Sequence, residues 1–269
     1  MPAAASAFLR LDEHRFLPTE HTGGAWTPDE QHISPMNGLV VHEVERFVAA
    51  TRPDDGLQIG RVSFDILGTL PLEDVTIDVQ VVRPGRTIEL LEASVVSRGR
   101  VAERARIWRM ATGGTGSVAG GRPDPLPAPD ACRSVDLTRI WPGGYIASLE
   151  VRPVVDPEPG RTTAWLRTAV PLLPDEPVGA LARYVGLVDT ANGIAVRESP
   201  ATWLYPNVDL TIHLHDQPQG PWVGLDTTVT FGSGGLGLTS TVLHDERGAV
   251  GRAAQTLTLR PRPSAGEVR

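Results

Sequence analysis

The sequence predicts an α+β protein in which one unit, a long helix packed on an antiparallel sheet, is built twice. Three observations predict it. A Gly/Pro-rich stretch divides the chain near its middle. Each half carries one amphipathic helical segment followed by strand-like segments, and the two sets run in the same order. At 269 residues the chain exceeds the ~100–150 of one ordinary domain, which leaves room for two.

In the first half, Ser34-Pro35 precedes Val40, Val41, Val44, Phe47 and Val48 at helical spacing. Ser34 is expected as the N-cap and Pro35 as the first-turn proline. Strands are expected at Gln58 to Leu67, Asp74 to Arg83, Thr87 to Arg98 and Val101 to Met110. The first and third alternate apolar and polar residues, as half-buried antiparallel strands do. Arg83-Pro84-Gly85-Arg86 and Ser97-Arg98-Gly99-Arg100 supply turns.

The stretch from Thr112 to Leu137 is rich in Gly, Pro, Ser and Asp and reads as a linker. The expected division is therefore 1–111, a linker at 112–137, and 138–269. In the second half, Thr163 to Val170 reads as a strand and Val178 to Thr190 as a helix. Leu181, Tyr184, Val185 and Val188 form its stripe, and Asn192-Gly193 its stop. Strands follow at Val208 to His215, Trp222 to Thr230, Gly237 to His244 and Ala249 to Arg260. Arg98-Gly99-Arg100 is expected to align with Arg247-Gly248-Ala249. Trp108, Trp165, Trp203 and Trp222 are expected in the core or an interface.

Composition narrows the function. Hydrophobic residues make up 41% and charged residues 21%, enough to bury a core. A net charge of −7 argues against a nucleic-acid partner. All 25 basic residues are Arg, so Schiff-base and pyridoxal chemistry, which need a lysine amine, are excluded. Cys132 is the sole cysteine, which rules out an intrachain disulfide and a thiolate zinc site. Met1 to Phe8 lack the basic start and apolar run of a signal peptide, and no stretch reaches ~18 uninterrupted apolar residues. A cytoplasmic protein without a membrane span is expected.

Asp189, beside apolar Leu187 and Val188, is a candidate base, because partial desolvation raises a carboxylate's pKa. Gln255 interrupts an apolar strand pattern and needs a partner if it points inward. Asp189 and Gln255 suit a shared water. The alternatives are that Asp189 merely ends its helix and that Gln255 faces solvent.

Four pieces, by order and spacing, resemble the double-hotdog acyl-CoA thioesterase II family. They are Asn37-Gly38-Leu39-Val40-Val41; Leu181 to Asp189; Asn207-Val208-Asp209-Leu210 with His213-Leu214-His215; and Ala253-Ala254-Gln255 with Arg260 beyond. The likeness runs from about Phe16 to Arg260. It implies a tandem hotdog fold and hydrolysis of acyl-CoA to free acid and CoA, within fatty acid metabolism and without cofactor or metal. The family's carboxylate, hydroxyl and amide positions fall on Asp189, Asn207 and Gln255, with Asn207 departing from the hydroxyl. The oxyanion donor of such folds resembles a backbone N–H at a helix start, which falls on Asn37-Gly38. A Ser/Gly-rich segment near the ligand entrance falls on Gly234 and Gly235.

Other patterns carry less. Gly232 to Gly237 has the letters of a dinucleotide fingerprint, but a strand follows it where a helix is required. His213 and His215 share one strand face and read as surface residues. His32, His42, Glu43 and Glu45 at the first helix read as a solvated face, or as a second site. No Gly-x-Ser-x-Gly elbow occurs. Two other functions remain open on this fold: a non-catalytic acyl-thioester binding protein, which the Asn207 departure favours, and an enoyl-thioester hydratase, whose Asp…His motif is not seen. Unpaired sheet edges imply at least a homodimer.

Overall fold

The structure is a computed structural model that describes residues 6–24, 26–27 and 29–263. Of the leader expectation, residues 1–5 lie outside the described residues. The first half contains β1 (Phe8–Arg10), β2 (Arg15–Pro18), α1 (Ile33–Thr51), β3 (Leu57–Ile66), β4 (Val75–Arg83), β5 (Ile88–Ser97) and β6 (Arg100–Ala111). The second contains α2 (Gly144–Ala147), β7 (Leu149–Pro153), β8 (Arg161–Thr168), α3 (Ala180–Val188), α4 (Ala191–Ile194) and β9 (Trp203–Leu204). It continues with β10 (Asp209–Leu214), β11 (Val223–Phe231), β12 (Leu236–Asp245), β13 (Gly248–Thr258) and β14 (Arg260–Pro261).

Twelve strands join in one antiparallel sheet, in the order β1-β2-β4-β5-β6-β3-β10-β13-β12-β11-β8-β7. Counting only strands of this sheet, from the one before α1 or α3, both halves have the spatial order first, third, fourth, fifth, second. The two second strands, β3 and β10, pair at the seam with Phe64 opposite Leu210 and Val62 opposite Ile212. The order reads the same from either end, as a pseudo-twofold requires.

Hydrogen-bond register makes the repeat quantitative. Phe64 faces Ala105 and Ile212 faces Ala253, so both members recur 148 positions later. Val79–Ala93 and Thr227–Thr241 keep the same spacing. So do the ladder shifts at Val95–Glu103 and Leu243–Gly251. The expected alignment of Arg98 with Arg247 is therefore one residue out. Ser97–Arg100 and Asp245–Gly248 close equivalent hairpins, which puts Arg98 opposite Glu246. A one-residue slip along a strand would exchange its two faces.

Strand segments fall within a residue or two of expectation, because alternation marks them; β6 buries Glu103, Ala105, Ile107 and Arg109 while Arg104 and Arg106 face out. Arg98 and Gly99 both have positive φ, 51° and 71°, the geometry of a two-residue hairpin turn. The helix ends differ from expectation. His32, not Ser34, caps α1, its Nδ1 accepting from the Ser34 N–H at 3.2 Å. Pro35 still sits in the first turn, where a missing N–H costs nothing. Asn192-Gly193 does not stop α3. The helix ends at Val188, and those residues lie inside the short α4, joined by tighter bonds such as Gly193 N–H to Thr190 O at 2.9 Å.

The two helices pack against each other on one face of the sheet, α1 over β4 and β5, α3 over β11. Met36, Leu39, Val40, Val41 and Val44 meet Phe64, Leu91, Ile107, Leu210 and Ile212 in a single core. Trp165 and Trp222 are buried as expected. Trp203 is 38% exposed on β9, outside the core. The 112–137 stretch lacks strands and α-helix but is tied to the second half, Pro127 O accepting from Trp165 Nε1 at 2.8 Å and Val135 N–H reaching Val151 O at 2.9 Å.

Candidate active site

Asp189 occupies the C-cap of α3, where the helix leaves the sheet face. It is 2% exposed. Its Oδ1 accepts two side-chain hydrogen bonds, from Asn207 Nδ2 at 2.7 Å and Gln255 Nε2 at 2.9 Å. A carboxylate only accepts, so both amides must present nitrogen to it. Gln255 Nε2 also reaches the Asp189 carbonyl at 3.2 Å. Asn207 sits just before β10, and Gln255, 1% exposed, points inward from β13. A helix end and two neighbouring strands thus converge on one carboxylate.

Burial pushes the Asp189 pKa up, the two amide donors oppose it, and the nearby Asp209 carboxylate adds to it; the balance lies at about 6. The negative end of the α3 dipole acts in the same upward direction. Gln255 Oε1 is buried without a hydrogen-bond partner among the described residues.

The other expected site residues separate. Asn37, fully buried in the first turns of α1, has no partner for either side-chain amide atom among the described residues. Gly38 is not open to a ligand. A Cβ there would lie 2.9 Å from Gly186 Cα and 2.9 Å from Ala182 O, so the glycine serves close helix crossing. Its N–H lies past the first turn, where the helix's own carbonyls take it up. Gly234 and Gly235 form the turn between β11 and β12, away from the cavity that Gly186 and Leu187 of α3 line. Leu236 after them is 67% exposed.

The polar cluster of α1 is no solvated face. His42 and Glu43 are buried; Glu43 pairs with Arg10 at 2.6 Å and Arg46 at 2.8 Å, and His42 Nε2 lies 3.3 Å from Glu176. Burial raises the Glu45 pKa to about 7 against the pull of Arg183. His32 stacks on Tyr145 with centroids 4.3 Å apart, and burial lowers its pKa to about 3, which keeps it neutral. His213 and His215 lie on the exposed side of β10 and just beyond it.

Two groups escaped the sequence reading. Tyr145 from α2 bonds Thr190 Oγ1 at 2.7 Å, beside Asp189, and lines a cavity of about 300 Å³. Pro35, Val170, Leu172, Ala182, Leu187 and Val223 give that cavity a largely apolar wall, which Gly186 shares. Nothing in the local sequence around Tyr145 signals this role, because α2 is a single turn. The second is Glu103 on β6, fully buried, with neither carboxyl oxygen partnered among the described residues. Burial holds its pKa well above the usual carboxylate range, and the Asp189 charge raises it further. It stands in phase with the apolar Ala105 and Ile107, a readable signal of an inward carboxyl.

A family profile described as acyl-CoA thioesterase N-terminal domain matches residues 22–110, and one described as acyl-CoA thioesterase C-terminal domain matches residues 117–259. No curated protein matches the chain. Among solved structures, an acyl-CoA thioesterase II, TesB2, from Mycobacterium marinum is 18% identical, with 97% of each chain covered and a TM-score of 0.65. A conserved protein of unknown function with hot dog fold from Alicyclobacillus acidocaldarius is 14% identical, with 97% of each chain covered and a TM-score of 0.72. A tesB protein of Mycobacterium avium subspecies paratuberculosis is 19% identical, covering 94% of this chain and 96% of its own, with a TM-score of 0.63. At such identities these likenesses carry the fold: a double hotdog.

Proposed function

The chain belongs to the acyl-CoA thioesterase family and is a thioester hydrolase, and from that premise we propose that Asp189 is the general base that activates the hydrolytic water. The observation that carries this reading is the paired amide clamp. Asn207 and Gln255 both donate to Oδ1 of Asp189, which fixes the carboxylate and leaves Oδ2 for a proton of water. Gln255 Oε1, buried and unpartnered among the described residues, accepts a hydrogen bond from the water's other O–H. A water bonded at both places presents a lone pair to the thioester carbon. With a pKa of about 6, Asp189 is mostly ionised at neutral pH yet basic enough to accept a proton.

Asn207 in place of a hydroxyl residue fits this role, because its nitrogen supplies the donor that the carboxylate needs. Asn37 offers an unpartnered side-chain amide rather than a backbone N–H; it adjoins Gly38, which touches Gly186 one turn before Asp189. The acyl chain occupies the apolar cavity that Tyr145 and Gly186 border. Thiol release from a panel of acyl-CoA esters of graded length, with wild type and Asp189→Ala, tests the proposal. Release by wild type, lost in Asp189→Ala, is expected. Activity that survives Asp189→Ala would place the base elsewhere.

A further inference from the structure

Glu103 is a carboxyl group with no structural employment. It is fully buried on the helix-facing side of β6, and neither oxygen has a hydrogen-bond partner among the described residues. A buried polar group in that condition is costly, so its retention needs a cause. Its place in the sheet supplies one. Glu103 faces Ile66 across β6 and β3, and the Ile66 N–H donates to Val208 O at 2.9 Å across the seam. Val208 follows Asn207, the residue clamped on Asp189. Glu103 therefore stands on the first-half side of the seam and Gln255 on the second-half side, with β3 and β10 between them, and Glu103 lies close enough to feel the Asp189 charge. The equivalent of Glu103 in the second half is Gly251, where even a Cβ would lie 2.2 Å from His213 O. The carboxyl exists once, as the Asp189 site does.

We propose that Glu103 is a further catalytic residue, a carboxylic acid whose O–H holds the thioester carbonyl oxygen while Asp189 activates the water. The inference rests on the Asp189 reading. Two carboxyls in electrostatic contact do not both ionise readily in a dry site. Asp189 has two amide donors on it and Glu103 has none, so the proton stays on Glu103. Burial and the Asp189 charge act in that same direction. A buried acid kept neutral to donate a hydrogen bond is an established device for an oxyanion.

The step balances. Water oxygen bonds to the carbonyl carbon as one of its protons passes to Asp189, and the C=O electron pair moves to oxygen, held by the Glu103 O–H. On collapse the C–S bond breaks, the electron pair leaves on sulfur, and the proton on Asp189 passes to the thiolate. Glu103 keeps its proton throughout, and thioester plus water gives acid plus thiol.

The test uses the full chain carrying Glu103→Leu or Glu103→Gln, assayed by thiol release from an acyl-CoA. Glu103→Leu is expected to fold, to lose about 10²–10³ in kcat and to keep KM nearly unchanged. Glu103→Gln retains an N–H donor and is expected to stay within about tenfold of wild type. A Glu103→Leu enzyme with wild-type kcat overturns the inference. Infrared difference spectra add a readout that survives a misfolded leucine variant. A protonated-carboxyl band is expected at neutral pH, absent in Glu103→Gln, and shifted when a ketone analogue with CH2 for the thioester sulfur binds. Lack of that band also overturns it. Loss of activity in Asp189→Ala alone, with Glu103→Leu active, removes only this inference; a wild type inert on every acyl-CoA removes the Asp189 reading with it.

Discussion

Gly38 of α1 and Gly186 of α3 are equivalent residues, 148 positions apart, and they touch where the two helices cross: a Cβ on Gly186 would lie 3.5 Å from Gly38 Cα. Gly38-Leu39-Val40 and Gly186-Leu187-Val188 repeat the same three residues about this contact. The next position breaks the symmetry. Val41 stands where the second half has Asp189, and by the same spacing Ile59 and Ile107 stand opposite Asn207 and Gln255. One half supplies the carboxylate and its two amides, and the other is apolar at all three places. The frame is repeated, and the carboxylate with its two amides is not.

Gly38→Ala follows from that contact. The added methyl meets backbone on two sides, Gly186 Cα and Ala182 O, and neither can rotate away. Overpacking of this kind costs about 1–3 kcal/mol. Thermal unfolding is expected to show a midpoint lowered by roughly 2–10 °C for a chain of this size. Gly186→Ala, whose methyl would sit at 3.5 Å, is expected to be milder. Equal midpoints for both variants and wild type would show that the helices do not depend on the glycines.

Asp189→Asn separates catalysis from stability. A carboxyl carrying a pKa of about 6 against an ordinary 3.8 is destabilised when ionised. Its folded pKa is raised, so the folded state binds the proton more tightly than the unfolded state does. Stability therefore falls as pH climbs from about 4 to about 6, and the deficit is complete above that, about 3 kcal/mol at pH 7. Asparagine removes the charge and keeps an oxygen for the two amide donors. Denaturant unfolding at pH 7 is expected to show a more stable variant with thiol release abolished, and the stability gain is expected to vanish at pH 4. A variant less stable than wild type at pH 7 would contradict the desolvation argument.

The architecture was legible because it is written in alternation. The strands and both helix stripes repeat through many residues, so single exceptions do not hide them. Asp189 and Gln255 were legible for a related reason, each being a polar residue inside an apolar pattern. Glu103 carried the same mark, in phase with Ala105 and Ile107. Gly38 was misread because a glycine that admits a ligand and one that admits another helix look alike until the partner, Gly186, is placed. Tyr145 lay beyond reach, since its four-residue helix has no period and its partner Thr190 is distant in sequence. The hairpin alignment is one residue out because Arg98-Gly99 matches Arg247-Gly248 by residue type, while the ladder places Arg98 at the position of Glu246.

Leu172→Trp tests the cavity as the acyl site. Leu172 lines it together with Ala182 and Leu187. A larger ring there takes up space without touching Asp189, Asn207 or Gln255. KM for long-chain acyl-CoA is expected to rise about tenfold, roughly the worth of one to two lost methylene contacts. Short-chain esters are expected to keep their kcat and KM. A uniform change at all chain lengths would place the acyl chain elsewhere.

Asn207 gives the last prediction, through pH. Its Nδ2 donates to the ionised Asp189 and so lowers that residue's pKa, while burial raises it. In wild type, kcat/KM is expected to rise with pH through about 6 as Asp189 loses its proton and becomes a base. Asn207→Ala removes one of the two donors, which moves the rising limb to higher pH. At pH 7 that variant loses activity twice, through a smaller ionised fraction and through a carboxylate free to turn. At a pH well above the shifted limb only the second loss remains, so part of the activity is expected to return. Asn207→Ser, which restores a hydroxyl donor, is expected to bring the limb back toward wild type. A limb that stays in place in Asn207→Ala, with kcat/KM reduced equally at every pH, would mean that Asn207 orients the base without tuning its charge.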